Sequence, residues 1–423
     1  MLRALQHYAF GLLALLMSSQ VFAATTETQE IFKRYQNRIV QIRILEASSG
    51  SRTSLGSGFV ASPSGLIVTN YHVMSELVHK PEQFRAEAVR DDGTSVPLTL
   101  LNFDVIHDLA IVRTEVKQAD YFDLESAPIQ KGTRVYSIGT PLDLGFTIVE
   151  GTYNGLLETS LYEKIHFTGS INPGMSGGPA ILEDGRVVGV NVASAGNQVS
   201  FLVPAKFVKK LLQDTLAFTK PAPGSMLNKL RDQLYANQNV YMSKLLAGPL
   251  VTTPVQQFRL PGKFAPYLKC WGNANRVPEN LYESLSQICS SEDDLYISQS
   301  HSSGMMYIRH DLISSEKLNR LRFFSLYQKY FDGNYQDIHA SKEDVTKFKC
   351  ESDFVEHHGI TFKTALCLRA YKKLPGLYDA VLRAATLNND HRGVQTTLVL
   401  AGVSYDNATR FARKYMDSVT WTK

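Results

Sequence analysis

Between residues 38 and 212 the chain is cut into short apolar runs by Gly, Pro, Asn and Asp, and few folds accept that rhythm. Residues 58–61, 66–69, 109–113, 134–139, 186–192 and 199–203 alternate or run continuously apolar over strand-like lengths. No regular strand–helix alternation accompanies them, so the pattern predicts a mostly β sandwich or barrel and not a parallel α/β sheet. Residues 27–37 read as a short helix leading into a strand at 38–45, and residues 206–218 read as a closing helix.

The rhythm changes after Lys220-Pro221-Ala222-Pro223-Gly224-Ser225, a composition suited to a linker. Residues 226–246, 316–331 and 406–419 carry helical spacing, and 346–354, 360–371, 378–386 and 394–404 read as strands. At 423 residues the chain exceeds one ordinary core. The expected division is 1–23, a β-rich domain at 24–218, a linker at 219–225, and a separate α+β domain at 226–423.

Residues 1–23 hold Arg3, an apolar stretch at 8–17 and Val21-Phe22-Ala23, the order of a signal peptide and its cleavage site. That stretch is too short to cross ~30 Å of hydrocarbon, so no transmembrane anchor is expected and the mature chain is expected outside the cytoplasm. All four cysteines, Cys270, Cys289, Cys350 and Cys367, fall in the second half of the chain. In an oxidising compartment they suggest two disulfides, with three pairings open. We expect neighbours to pair, Cys270 with Cys289 and Cys350 with Cys367, because the latter two sit in strand-like runs able to form a hairpin. The sequence has no Cys-x-x-Cys, which argues against zinc, and His301, His310, His339, His357 and His358 are expected as scattered surface residues. Trp271 is expected to pack against a disulfide. A net charge of +4 without a dense Lys/Arg run gives a nucleic-acid partner no support.

Three stretches carry chemistry. In Asn172-Pro173-Gly174-Met175-Ser176-Gly177-Gly178-Pro179, glycines let the chain turn tightly so that successive N–H groups face one small space. A serine there becomes a useful nucleophile only with a base and with donors for an oxyanion, and the backbones of Gly174 and Ser176 are the candidate donors. His72, in Thr69-Asn70-Tyr71-His72-Val73, is the candidate base. Asp108 precedes the apolar run Leu109-Ala110-Ile111-Val112 and is the candidate acid to orient the imidazole, with Asp104 and His107 as nearby competitors.

The order His, Asp, Ser, each at the mouth of a strand, is the chymotrypsin order. Residues 27–212 resemble the protease domain of the HtrA/Deg-type trypsin-like serine proteases. The resemblance runs through Gly56-Ser57-Gly58-Phe59, Gly65-Leu66-Ile67-Val68-Thr69-Asn70-Tyr71-His72-Val73, Asp108-Leu109-Ala110-Ile111-Val112 and Ile138-Gly139-Thr140-Pro141. It continues through Ile171 to Pro179 and Gly185-Arg186-Val187-Val188-Gly189-Val190-Asn191. It implies a double β-barrel with the active site between barrels, a triad of His72, Asp108 and Ser176, and an oxyanion hole from Gly174 and Ser176. It implies protein or peptide substrates, no cofactor and no metal, and an exported enzyme, in the periplasm sooner than fully secreted. A homo-oligomer is compatible with it. A catalytically silent or latent binding protein on the same fold is the alternative. Apolar Ile171, Val190 and Val192 are expected to line the S1 pocket. Two departures stand out: Met175 replaces a small polar residue, and no PDZ module is recognisable after residue 220.

Overall fold

The computed structural model describes residues 27–116, 120–216, 225–277, 279–333, 338–388 and 390–421. The expected signal peptide and residues 219–224 of the expected linker lie outside the described residues. Helix α1 (Glu27–Tyr35) precedes two closed antiparallel barrels of six strands each. The first is built from β1 (Ile39–Glu46), β2 (Arg52–Val60), β3 (Leu66–Thr69), β4 (Phe84–Val89), β5 (Ser95–Asp104) and β6 (Leu109–Arg113), with helix α2 (Tyr71–His79) between β3 and β4. The second is built from β7 (Arg134–Gly139), β8 (Thr147–Leu156), β9 (Ile165–Phe167), β10 (Pro179–Ile181), β11 (Val187–Gly196) and β12 (Val199–Pro204). Helix α3 (Ala205–Leu216) closes this half.

The barrels explain why the strands read as continuous apolar runs. On β1 and β6, Val40, Ile42, Ile44, Ala110 and Val112 belong to the core of the first barrel. Their neighbours Ile39, Leu109 and Ile111 face the other way and meet Tyr136, Ile138, Val187, Val190 and Val203 of the second barrel. Val135, Phe167, Met175, Val188 and Leu202 fill the second barrel itself. A strand buried on both faces needs apolar residues at every position, which removes the alternation a solvent-facing strand would show.

In the second half, a seven-stranded antiparallel sheet runs in the order β15-β16-β19-β23-β22-β21-β20. Its strands are β15 (Leu268–Asn275), β16 (Glu283–Ser291), β19 (Met306–Ser314), β20 (Lys349–His357), β21 (Ile360–Ala370), β22 (Tyr378–Thr386) and β23 (Arg392–Val403). Helices α4 (Ser225–Ala247) and α6 (Tyr405–Asp417) cover one face, where Tyr241, Met242, Phe411 and Tyr415 meet Ile308, Leu398 and Leu400. Helix α5 (Arg320–Gly333) lies elsewhere on the sheet, with Phe323 and Tyr327 against Ile313 and Ala385. A short hairpin, β17 (Leu295–Ser298) and β18 (His301–Ser303), leaves the sheet between β16 and β19. Strands β13 (Thr252–Val255), β14 (Phe258–Pro261) and β24 (Thr420–Trp421) form a small third sheet.

Both disulfides join neighbours, Cys270 to Cys289 and Cys350 to Cys367. Each bridges directly opposed positions on adjacent strands, and the two pairs sit at opposite edges of the seven-stranded sheet. Edge strands lack one partner, so the bridges hold the two places where pairing is weakest. Trp271 is 54% exposed on the edge strand. His301 and His310 are not surface residues: they are 2% and 1% exposed. His310 Nε2–H donates to Pro261 O at 2.7 Å.

The two halves share a core. Leu230 and Leu234 of α4, Leu295 and Ile297 of β17, and Val345, Tyr371, Leu374 and Leu377 pack in one cluster with the first barrel and Tyr71 of α2. Gln233 adds two bonds to the barrel backbone, accepting from Val105 N and donating to Phe103 O, both at 2.8 Å. Among the described residues no helix is long and apolar enough to cross a membrane.

Two stability outcomes are expected. Each bridge closes a loop with a sequence separation of 19 or 17 residues. The Cys270→Ala/Cys289→Ala and Cys350→Ala/Cys367→Ala variants should each lose about 3 kcal/mol in denaturant titrations. Burial pushes the pKa of both His301 and His310 down to about 4 from an ordinary 6.5. The unfolded chain then binds more protons than the native one between those values, so stability should be full above 6.5 and fall as pH drops toward 4. Thermal midpoints measured across that window check this, and the slope should shrink in His310→Gln.

Candidate active site

Strand β3 ends at Thr69, and α2 starts two residues later, so His72 stands in the first turn of a helix. The first N–H groups of a helix lack partners within it. Asn70 occupies the N-cap but does not cap with its side chain, which donates instead to Asp108 O at 2.7 Å. The missing acceptor is Asp108, whose Oδ1 takes the His72 N–H at 2.8 Å while Oδ2 takes Nδ1–H at 2.6 Å. One carboxylate therefore caps the helix and orients the imidazole. Asp108 reaches both through a left-handed backbone (φ 52°), a conformation Asp tolerates better than most residues.

The side chains of His72 and Asp108 are 27% and 19% exposed. Burial works against the imidazolium, but the Asp108 charge and its hydrogen bond outweigh this and raise the His72 pKa above its ordinary value. With Nδ1–H committed to a carboxylate, Nε2 is left free to take up a proton. The competing pair has similar internal geometry, with His107 Nδ1–H donating to Asp104 Oδ2 at 2.6 Å. Its ring, however, is stacked on Phe207 of α3 at 3.6 Å.

Ser176 follows a tight turn. Met175 N donates to Asn172 O at 3.0 Å across Pro173 and Gly174, with Gly174 at φ 96°, the pattern of a type II turn with Pro and Gly in their preferred places. The N–H groups of Met175, Gly177 and Gly178 are all bonded, to Asn172 O, Asn191 O and Met175 O. Those of Gly174 and Ser176 have no acceptor among the described residues. Two unengaged donors thus lie on either side of Met175, the second on the half-buried serine itself. The Met175 side chain points the other way and is fully buried in the second barrel. That accounts for a large apolar residue at this position, since the turn uses only its backbone.

Two residues that sequence reasoning did not single out hold this turn. Ser57 of β2 is fully buried. Its N–H donates to Ser176 O at 2.7 Å, its hydroxyl donates to Gly174 O at 2.7 Å, and Thr140 N donates to that hydroxyl at 2.9 Å. Asn191 of β11, also fully buried, accepts Gly177 N–H and donates through Nδ2 to Met175 O at 3.2 Å and Ile138 O at 3.3 Å. A small polar residue between glycines, as in Gly56-Ser57-Gly58, was the available signal for the first. Gly177 lies so close to β2 and β3 that a Cβ there would fall 2.2 Å from Ser57 O, 2.3 Å from Thr69 Oγ1 and 3.0 Å from Asn70 N. Ser176 is thereby held against the segment that leads into His72. Its hydroxyl makes no hydrogen bond to the imidazole among the described residues, a looseness common before substrate binds.

Of the expected S1 residues, Ile171 is 5% exposed within the second barrel and Val190 is fully buried between the barrels. Val192 is half-buried at the margin of the inter-barrel core.

Paired six-stranded antiparallel barrels with a His–Asp pair on one and a glycine-bracketed serine on the other define the trypsin-like peptidase class. Residues 56–190 match the family described as a trypsin-like peptidase domain. Over 174 residues, 38% of this chain and 33% of the relative, the sequence is 34% identical to a probable periplasmic serine endoprotease DegP-like of Bartonella henselae. It is 32% identical over 169 residues to the mitochondrial serine protease HTRA2 of Drosophila erecta, covering 38% of this chain and 39% of that protein. A crystal structure of the serine endoprotease from Yersinia pestis aligns with a TM-score of 0.40 and 22% identity, over 47% of this chain and 69% of that one. The double barrel is similar to the trypsin-like serine-protease domains of the HtrA/Deg type. The chain spans between a third and two fifths of the length of these curated relatives.

The raised His72 pKa can be tested directly. Asp108→Asn removes both raising interactions and leaves burial, so the imidazole followed by NMR should titrate above 6.5 in the wild type and at a lower pH in the variant.

Proposed function

We propose that the protein is an exported serine endopeptidase, with Ser176 as nucleophile, His72 as general base and Asp108 as the group that orients His72. The observation that carries this reading is the pair of unengaged N–H groups at Gly174 and Ser176, on peptide planes whose carbonyls, Pro173 O and Met175 O, accept from Leu142 N and Asn191 Nδ2. Such donors, held in place before any charge develops, stabilise a tetrahedral oxyanion without reorganisation.

In the first step the Ser176 hydroxyl proton passes to His72 Nε2 as Oγ bonds to the peptide carbonyl carbon, whose oxygen becomes an anion between the two N–H groups. Collapse breaks the C–N bond, and the proton held by His72 goes to the leaving amine. Water then repeats the sequence on the acyl-enzyme, giving its proton to His72 and releasing the carboxylic acid and Ser176. Asp108 keeps the imidazole in one tautomer and favours the imidazolium that forms. Every group in this scheme comes from the chain.

The substrates we propose are exported proteins or peptides, with periplasm as the compartment, on the strength of the signal-peptide reading and of the likeness to a DegP-like relative. An apolar P1 side chain is proposed from the chemistry of Ile171 and Val192, Val190 being fully buried between the barrels. In this reading residues 24–218 are the peptidase domain, 219–225 the linker and 226–423 the second domain.

A fluorophosphonate probe should label the wild type and leave Ser176→Ala unlabelled. His72→Ala and Ser176→Ala should each lower peptide hydrolysis by roughly 10⁴ or more. A correctly folded wild type that takes no label and cleaves no peptide would sink the proposal in favour of a silent, protein-binding barrel.

A further inference from the structure

The β17–β18 hairpin belongs to the second half of the chain, yet it sits against the helix that carries His72. Leu295 and Ile297 are 4% and 1% exposed and enter the core shared with the first barrel. Ile297 O accepts from Tyr71 OH at 2.8 Å and from His79 Nε2–H at 2.9 Å, so both ends of α2 are tied to one carbonyl. Two residues before the strand, Asp293, with a side chain 6% exposed, accepts from Leu161 N at 2.7 Å, Ser160 Oγ at 2.8 Å and Lys164 Nζ at 2.8 Å. Those three residues form the β8–β9 connection of the second barrel. Residues 293–297 therefore grip both barrels.

Tyr296, between Leu295 and Ile297, packs at the margin of the same shared core. Its ring centroid lies 5.8 Å from that of His72 at an interplanar angle of 65°, within the range of edge-to-face contact. The ring also lies 6.5 Å from Tyr71 at 70°, and the Ser75 side chain approaches its hydroxyl. Tyr296 remains half-buried, as does His72, so part of each ring is left to meet a bound molecule.

We propose that Tyr296 is a positioning and specificity-determining residue of the peptidase site, so that the second half of the chain supplies one wall of the substrate cleft. This rests on the peptidase reading above. The ring limits rotation of the imidazole about the axis set by Asp108, and its free edge meets the substrate residue that passes over His72. An aromatic wall held on a two-strand hairpin, fixed at Asp293 and Ile297, would favour an apolar or aromatic side chain at that one subsite.

The test uses the full mature chain as wild type, Tyr296→Phe and Tyr296→Leu. The leucine variant keeps apolar bulk at the edge of the shared core while removing the ring. Rates are normalised to fluorophosphonate-titrated sites, and cleaved bonds are read from a random peptide library. Tyr296→Phe should match the wild type in rate and in sequence preference. Tyr296→Leu should lose about tenfold in kcat through a misplaced base and should flatten the preference at one position beside the scissile bond. A merely structural role would lower the titratable fraction and leave the preference unchanged. Unchanged kcat and preference in Tyr296→Leu overturn the inference alone. A wild type that neither labels nor cleaves overturns the function beneath it and this inference together.

Discussion

The backbone of β2 at Ser57 and the turn that carries Ser176 approach each other with no side chain between them. Ser57 N donates to Ser176 O, and its hydroxyl donates to Gly174 O, so one buried residue of the first barrel fixes the carbonyls on both sides of Met175. The Gly174 and Ser176 N–H groups share peptide planes with Pro173 O and Met175 O, which accept from Leu142 N and from Gly178 N and Asn191 Nδ2, so those N–H groups face the opposite way. The approach is possible only because Gly177 presents no Cβ to Ser57 O. An unpaired polar group in such a place would cost about 1–3 kcal/mol, and the carbonyls of Gly174 and Ser176 both find their partner in Ser57. The rest of the site inherits its position from this contact.

His72 is placed by a different device with the same logic. A helix start always leaves N–H groups without partners, and here the acceptor that answers one of them is the same carboxylate that holds the imidazole. Cap and orienting acid cannot be separated, so the ring angle is tied to the helix direction. The helix in turn is held by the second half of the chain, through Tyr71, His79 and the carbonyl of Ile297. Loss of that hold would be felt at His72 through one turn of α-helix.

Much of the fold was legible. A β sandwich or barrel, helices α1 and α3, and strands β21 to β23 followed from apolar spacing and from where Gly, Pro, Asn and Asp fall, and the resemblance to the HtrA/Deg-type proteases implied that the barrel is double. Strands β15 and β16 escaped notice because their spacing is weak: β15 is exposed over most of its length, and β16 is half-buried at most positions. A strand that neither alternates nor runs apolar gives a sequence reader nothing to hold. The expectation of surface histidines failed at His301 and His310 for a related reason. At His310 the buried imidazole donates one N–H to the carbonyl of Pro261, and nothing local announces that carbonyl.

The sequence by itself determined which chemical groups the barrels carry and which strands they terminate, because those depend on spacing within a few residues. It determined the bracketing glycines of Ser176, and the aspartate that opens β6. Tertiary structure alone decided what surrounds them. Ser57 meets Gly174 across 117 residues and Tyr71 meets Ile297 across 226, and a serine in a strand or a tyrosine in a hairpin looks the same whether or not such a partner exists. Long-range contacts follow from how whole strands and helices pack, since burial of apolar faces fixes their positions before any single polar group finds its partner. That is why the candidate triad could be named from local spacing, while the residues that hold it in place, Ser57, Asn191 and Tyr296, could not.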